Sequence, residues 1–186
     1  MQPNDKSALR RAVREAFPGA EARAQESRAL CAQLAEWPPY REARIIAGYL
    51  PLGHEADVTP LLDAILREGK TLCLPRCEDE GVMTFRRVGA MDELVPGRWR
   101  FPEPAEDAEI VPPESIELII VPLEAIDTAG HRLGKGGGYY DRYLPRTKAV
   151  KIAAVLRHQR IEYVPHDPHD VPLPYLADAD GIHPIP

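Results

Sequence analysis

The 186-residue chain is poor in cysteine, in long apolar runs and in positive charge, and each shortage excludes something. Cys31, Cys73 and Cys77 are odd in number and contain no Cys-x-x-Cys pair, which argues against a disulfide framework in a chain long enough to close a core without staples. Cys73-x-x-x-Cys77 has no His-x-x-x-His partner downstream, so buried, inert thiols are expected rather than zinc ligands. No stretch approaches the roughly 20 apolar residues of a membrane span, and the start Met-Gln-Pro-Asn-Asp-Lys-Ser lacks the apolar core of a secretory signal. A cytoplasmic protein with no membrane partner is the expectation. With 23 Lys and Arg against 29 Asp and Glu, the net charge of −6 disfavours broad binding to nucleic acid. Any anionic ligand must be held by local cations, and these cluster at Lys6–Arg14 and Arg132–Arg142.

What is present is the composition of a globular protein, 44% hydrophobic and 28% charged, at the size of one domain spanning residues 1–186. Ala8, Leu9, Ala12, Val13 and Ala16, then Ala29, Leu30 and Leu34, recur at spacings of three and four and predict two helices over 4–36, with a corner at Pro18-Gly19. Residues 44–50 and 71–75 read as strands flanking a helix over 59–67, and 83–88 alternates as an antiparallel or edge strand would. Residues 95–114 hold six Pro and Gly breakers and read as a long surface loop without regular structure. Leu118-Ile-Ile-Val-Pro122 is the strongest strand, apolar on both faces as at the centre of a covered parallel sheet. A short helix is expected from Gly138 to Leu144, and another strand at 151–156. His158, His166, His169 and His183 crowd the C-terminal quarter, but proline spacing around them favours a solvated loop over a metal cluster. Strands alternating with helices give an α/β fold with a mainly parallel sheet.

Between the central strand and that short helix lies Arg132-Leu-Gly-Lys-Gly-Gly-Gly-Tyr-Tyr-Asp-Arg142. Four glycines in five positions let the backbone turn its N–H groups on one anion, while Arg132 and Lys135 add charge and a following helix would add its positive end. Asp141, one turn on, is placed to hold a magnesium ion bridging phosphate oxygens. The loop lies at the carboxyl edge of a buried strand, where open α/β folds place ligands. It is neither a dinucleotide fingerprint, which follows its strand directly, nor a Walker loop, which ends in Gly-Lys-Ser or Gly-Lys-Thr.

With its flanks this segment resembles the 5-formyltetrahydrofolate cyclo-ligase family, also called methenyltetrahydrofolate synthetases. The resemblance runs through Lys6-x-x-x-Arg10, Tyr49-Leu-Pro with Glu55 and Thr59, Leu74-Pro75, Met83-x-Phe85, Phe101-Pro-Glu-Pro104, Ile120-Val-Pro122, Asp127-x-x-Gly130, the glycine segment, Gln159 and Pro165-x-x-x-x-Asp170. It implies an ATP- and magnesium-dependent conversion of 5-formyltetrahydrofolate to 5,10-methenyltetrahydrofolate, with release of ADP and phosphate. It also implies a three-layer α/β/α fold similar to the ribose-phosphate isomerase and CoA-transferase folds, working as a monomer or weak homodimer.

Carried over by position, the resemblance makes Lys6, Arg10 and the run Arg132, Leu133, Gly134, Lys135, Gly136, Gly137, Gly138, Tyr139 and Tyr140 the ATP contacts. Arg132 and Lys135 become the catalytic charges, and Asp141 and Asp170 the magnesium carboxylates. Glu55 becomes the acid for the pterin's guanidine-like edge, and Met83, Trp99 and Tyr140 the wall on which the rings stack. Ile126 stands where the family usually has an aromatic residue, and the acid that usually follows the Asp170 position is missing. Two other functions are compatible with parts of this pattern. A nucleotide- or RNA-holding module without turnover is disfavoured by the −6 charge. A sugar-phosphate isomerase or CoA transferase rests on fold likeness alone.

Overall fold

The computed structural model describes residues 5–186, apart from the side chains of Glu80 and Trp99. Helix α1 (Lys6–Glu15) starts where the Asp5 carboxylate accepts the amides of Ser7 and Ala8 at 3.0 Å, an N-cap that takes up two otherwise unpaired donors. The expected corner follows at Pro18-Gly19, and α2 (Ala20–Glu36) runs to Trp37, where extended backbone ahead of Pro38 ends it. The prolines then open a further short helix, α3 (Pro38–Glu42), rather than a loop. Strand β1 (Ile45–Ala47), helix α4 (Thr59–Arg67) and strand β2 (Thr71–Cys77) follow, then β3 (Met83–Val88), the short β4 (Val95–Pro96) and β5 (Pro102–Glu103), and β6 (Leu118–Val121). Strands β7 (Ala125–Ile126) and β8 (Arg132–Leu133) precede α5 (Tyr139–Tyr143), and β9 (Val150–Ala154), β10 (Tyr175–Asp178) and β11 (Gly181–Pro184) complete the order. Among the described residues no helix is long and apolar enough to cross a membrane.

Seven strands form one sheet in the order β11-β10-β9-β6-β1-β2-β3. The pairs β10–β9, β9–β6, β6–β1 and β1–β2 are parallel, and antiparallel β11 and β3 form the edges. β6 is the central strand and all four of its side chains are buried, as its unbroken apolar run requires. Each such side chain contributes about 1.5–3 kcal/mol of burial, so the centre of the sheet is its most strongly held part. One face is covered by α2, α3 and α4 through Leu30, Leu34, Tyr40, Leu61, Leu62 and Ile65. The other is covered by a thinner layer, in which Tyr143 and Leu144 of the α5 turn join Leu123, Ile126, Val111 and Leu173 from connecting segments. Helix α1 is set on a separate small cluster, Val13 and Leu9 against Ala125, Leu133, Val164 and Ile161.

Two expectations are corrected. Residues 95–114 are not wholly irregular: β4 and β5 pair as a small antiparallel hairpin, and Arg86 bridges Ile110. The prolines are tolerated because these short edge segments leave the missing N–H unused. The C-terminal quarter is not one solvated loop either. After a loop over 160–174, β10 and β11 join the main sheet, with Leu176 opposite Ala153 of β9 and His183 opposite Leu176.

Strand order reverses between β1 and β6, the chain passing from β1 to β2 on one side and placing β6 and β9 on the other. The crevice beyond the carboxyl ends of such neighbours is where a doubly wound sheet binds ligands.

Candidate active site

A cavity of about 600 Å³ occupies that crevice. Tyr49, Leu50 and Glu55 enter it from the exit of β1, Leu74, Pro75 and Cys77 from β2, Met83 from β3, and Pro122 and Leu123 from the exit of β6. Its mouth is closed by Lys6 and Arg10 of α1, by Arg132 through Asp141, by Phe101–Glu103 of the hairpin, and by Asp167, His169 and Asp170. All of the expected site residues thus meet in one space except Trp99, whose side chain lies outside the described residues.

The glycine loop is shaped by two left-handed residues, Gly136 (φ 102°) and Gly138 (φ 65°), conformations costly for any side chain with a Cβ. Gly134 and Gly137 are not left-handed. Gly137 is needed for space, since a Cβ there would stand 2.8 Å from the Tyr139 ring. The helix that follows has only five residues, so the expected helix-end contribution is small. The loop's charge comes from side chains. Arg10 Nε donates to the Gly134 carbonyl at 2.7 Å, and Arg142 ties the Gly137 carbonyl to that of Gly81 in the β2–β3 turn with contacts of 2.7 Å.

Lys6, Arg10 and Arg14 are spaced four apart and share one stripe of α1, turned to the site while Leu9 and Val13 bury against the β7–β8 hairpin. Lys6 Nζ reaches Asp167 at 3.0 Å and Asp170 at 3.3 Å. Partial burial pushes the Asp170 carboxyl up, but the Asp167 amide and Lys6 outweigh it and hold it below the usual carboxylate value. Arg132 is nearly buried, its Nη2 2.7 Å from Asp141, and its Nε has no hydrogen-bond partner among the described residues. Tyr140 also lines the cavity, and its hydroxyl is buried without a hydrogen-bond partner among the described residues, where burial pushes its pKa well up.

Lys135 Nζ lies between two buried carboxylates, 3.1 Å from Glu55 and 3.2 Å from Glu124. Glu55 also accepts the Leu52 amide at 2.7 Å, yet burial outweighs both partners and raises its pKa. Glu124 is likewise pushed up by burial, but Arg14, bonding through Nη2 at 2.7 Å and Nε at 3.1 Å, and Lys135 hold it below the usual value. Met83 is buried, and Tyr140 stands 6.4 Å, edge to face, from Phe85.

Several motif residues prove to be scaffold. Asp127 is buried and accepts the amides of Ala129, His131 and Val164 at 2.9–3.0 Å, shaping the β7–β8 turn and tethering the segment that carries Asp167 and Asp170. Gln159 is buried and donates to the Leu123 carbonyl at 2.9 Å, fixing the cavity floor. Sequence reading passed over Glu124 and Asp167, and it named Arg14, Phe101, Glu103 and His169 without giving them a place in the site. Among the described residues Asp167, His169 and Asp170 bring ligating atoms within 4.8 Å of one another, so an acid does accompany Asp170, three residues before it rather than after it. The spacing Asp-x-x-Asp over 167–170 was the available signal.

Comparison with known proteins agrees with this geometry. A sequence profile of the 5-formyltetrahydrofolate cyclo-ligase family matches residues 2–176. The chain is 33% identical over 152 residues to the 5-formyltetrahydrofolate cyclo-ligase of Escherichia coli K12, covering 78% of this chain and 84% of that one. It is 32% identical over 188 residues to that of Mycolicibacterium smegmatis, covering 95% and 94%. The solved structure of Aquifex aeolicus 5,10-methenyltetrahydrofolate synthetase superposes with a TM-score of 0.85 at 33% identity, over 97% of this chain and 92% of that one.

Proposed function

The chain belongs to the 5-formyltetrahydrofolate cyclo-ligase family, and from that premise we propose how its cavity closes the folate ring at the expense of ATP. The observation that carries the reading is the convergence of Lys6, Arg10, Arg132 and Lys135 on the Gly134–Gly138 loop, in the same cavity as Glu55, Met83 and Tyr140.

The formyl oxygen of the N5 amide is a poor leaving group, so N10 cannot expel it directly. In the first step that oxygen attacks the γ-phosphorus of ATP, an O–P bond forms, and the bond to the bridging oxygen breaks with its electron pair leaving on ADP. In the second, the N10 lone pair attacks the formyl carbon, N10 loses its proton, and the C–O pair departs with phosphate. The remaining cation is shared by N5, carbon and N10. Phosphoryl transfer of this kind asks the protein for position and charge rather than for a nucleophile.

Lys6 and Arg10 hold the nucleotide from α1, and the amides of the loop with Arg132 and Lys135 take the charge that grows on the transferring group. Glu55 takes the donor edge of the pterin, and Met83 and Tyr140 give the flat rings an apolar wall. The carboxylates of Asp141 and Asp170, with Asp167 beside the latter, are hard oxygen donors of the kind magnesium takes, and magnesium bound by them would neutralise triphosphate charge. The reaction is assigned to a single unit over residues 1–186, a monomer or weak homodimer in the cytoplasm, with ATP and 5-formyltetrahydrofolate as its partners and neither nucleic acid nor membrane.

The test is direct. The protein is incubated with 5-formyltetrahydrofolate and Mg-ATP, and the near-ultraviolet absorbance of the methenyl product is followed. An ATP-dependent rise is expected, and its absence would overturn the reading.

A further inference from the structure

Glu124 has no part in the reaction as set out above, yet it is a carboxylate at 3% exposure that takes charged donors from two elements. Arg14 holds it from α1, and Lys135 holds it from the glycine loop while also touching Glu55. One ammonium therefore bridges two buried acids, and the two are unequal. If Lys135 leaves, Glu124 keeps both Arg14 bonds, whereas among the described residues Glu55 keeps only the Leu52 amide. A buried carboxylate stripped of its cation is costly unless another donor replaces it.

We propose that Glu124 is a positioning residue that shares Lys135 with Glu55, so that nucleotide, by drawing Lys135 to its phosphates, unmasks Glu55 for the pterin and makes the two substrates bind cooperatively. The proposal rests on the roles given above to Glu55 and to the loop. A lysine suits the task because its ammonium is a compact charge with three donors on a flexible stem, able to change partners without rebuilding the backbone. Sharing lowers the cost of leaving Glu55. Without Glu124, Lys135 rests on Glu55 alone and the mask deepens. Linkage requires the effect to be mutual, folate tightening nucleotide by the same factor.

Wild-type turnover is measured first, since its absence would count against the proposed function rather than against this coupling. Calorimetric titration of the full chain with 5-formyltetrahydrofolate is then made with and without β,γ-methylene-ATP, which cannot transfer its γ-phosphoryl group. Nucleotide is expected to tighten folate by at least about fivefold in the wild type, and the factor to fall to near one in Lys135→Met. In turnover, Glu124→Gln is expected to raise the KM for folate while kcat at saturation stays within about twofold, and Glu124→Asp to restore KM. A turning-over wild type with no nucleotide effect, or a Lys135→Met variant that keeps it, overturns the coupling. A Glu124→Gln variant that loses kcat and melting temperature together with no change in KM overturns the positioning role.

Discussion

Asp141 and Arg132 show how much one side chain can carry. The pair is 2.7 Å apart and the guanidinium is almost buried, so Asp141→Ala would strand a cation at a cost on the order of 3–5 kcal/mol. Inactivity of that variant would mix unfolding with any loss of magnesium. Asp141→Asn separates the two, because the amide oxygen still accepts from Arg132 while the negative charge is gone. Turnover at limiting magnesium is expected to fall about 100-fold, equivalent to roughly 3 kcal/mol, and to recover partly as magnesium is raised, with a smaller fall in melting temperature than in Asp141→Ala. Near-normal rates at limiting magnesium would remove Asp141 from the metal site. The same scale explains why Glu124 escaped the sequence reading. It sits between Val121-Pro-Leu and Ala125-Ile126, where one acid in an apolar stretch gives no periodic signal, and only the folded chain sets Arg14 and Lys135 beside it.

At the scale of elements, legibility followed the source of each element's stability. β6 and α4 were readable because an unbroken apolar run and a three-and-four periodicity are properties of the segment itself. The hairpin β10–β11 was not. Its strands have four residues each among Pro172, Pro174 and Pro184, and their extended state comes from the pairing of β10 with β9 and of β11 with β10, which no local pattern encodes. A buried acid holds the hairpin turn: Asp178 accepts from His183 at 3.0 Å, from Arg160 at 2.6 Å and from the Asp180 amide at 2.9 Å. Burial pushes Asp178 up, but His183, that amide and Arg160 outweigh it, so its folded pKa is depressed. A depressed acid stabilises above its unfolded pKa of about 3.9, and the contribution is lost as pH falls through the folded value. Asp178→Asn is therefore expected to lower stability at pH 7 by about 1–3 kcal/mol and to flatten its decline below pH 4, as read by urea unfolding across pH. Parallel pH profiles for variant and wild type would show that the Asp178 carboxylate adds nothing to stability through its ionisation.

For the molecule as a whole, the net charge of −6 places the burden of anion binding on a few cations, and two of them, Lys6 and Arg10, sit on α1, which belongs to neither main core. α1 is held by a small apolar cluster and by polar ties to Gly134, Glu124, Asp167 and Asp170, while β6 is buried on both faces. Local opening therefore has unequal costs, and α1 should exchange its amide hydrogens well before the central sheet does. Nucleotide that engages Lys6, Arg10 and the glycine loop at once must slow exchange in α1, in the loop and in the segment 163–171 tethered by Asp127, and β6, which opens only with global unfolding, must slow through the same added stability. At 100 times its dissociation constant it adds about 2.7 kcal/mol, which for a chain of this size raises the melting temperature by roughly 5–11 °C. Hydrogen exchange with and without β,γ-methylene-ATP reads both halves of this expectation. If α1 exchanged as slowly as β6, or did not respond to nucleotide, the N-terminal helix would be ordinary scaffold and the nucleotide roles of Lys6 and Arg10 would fall with it.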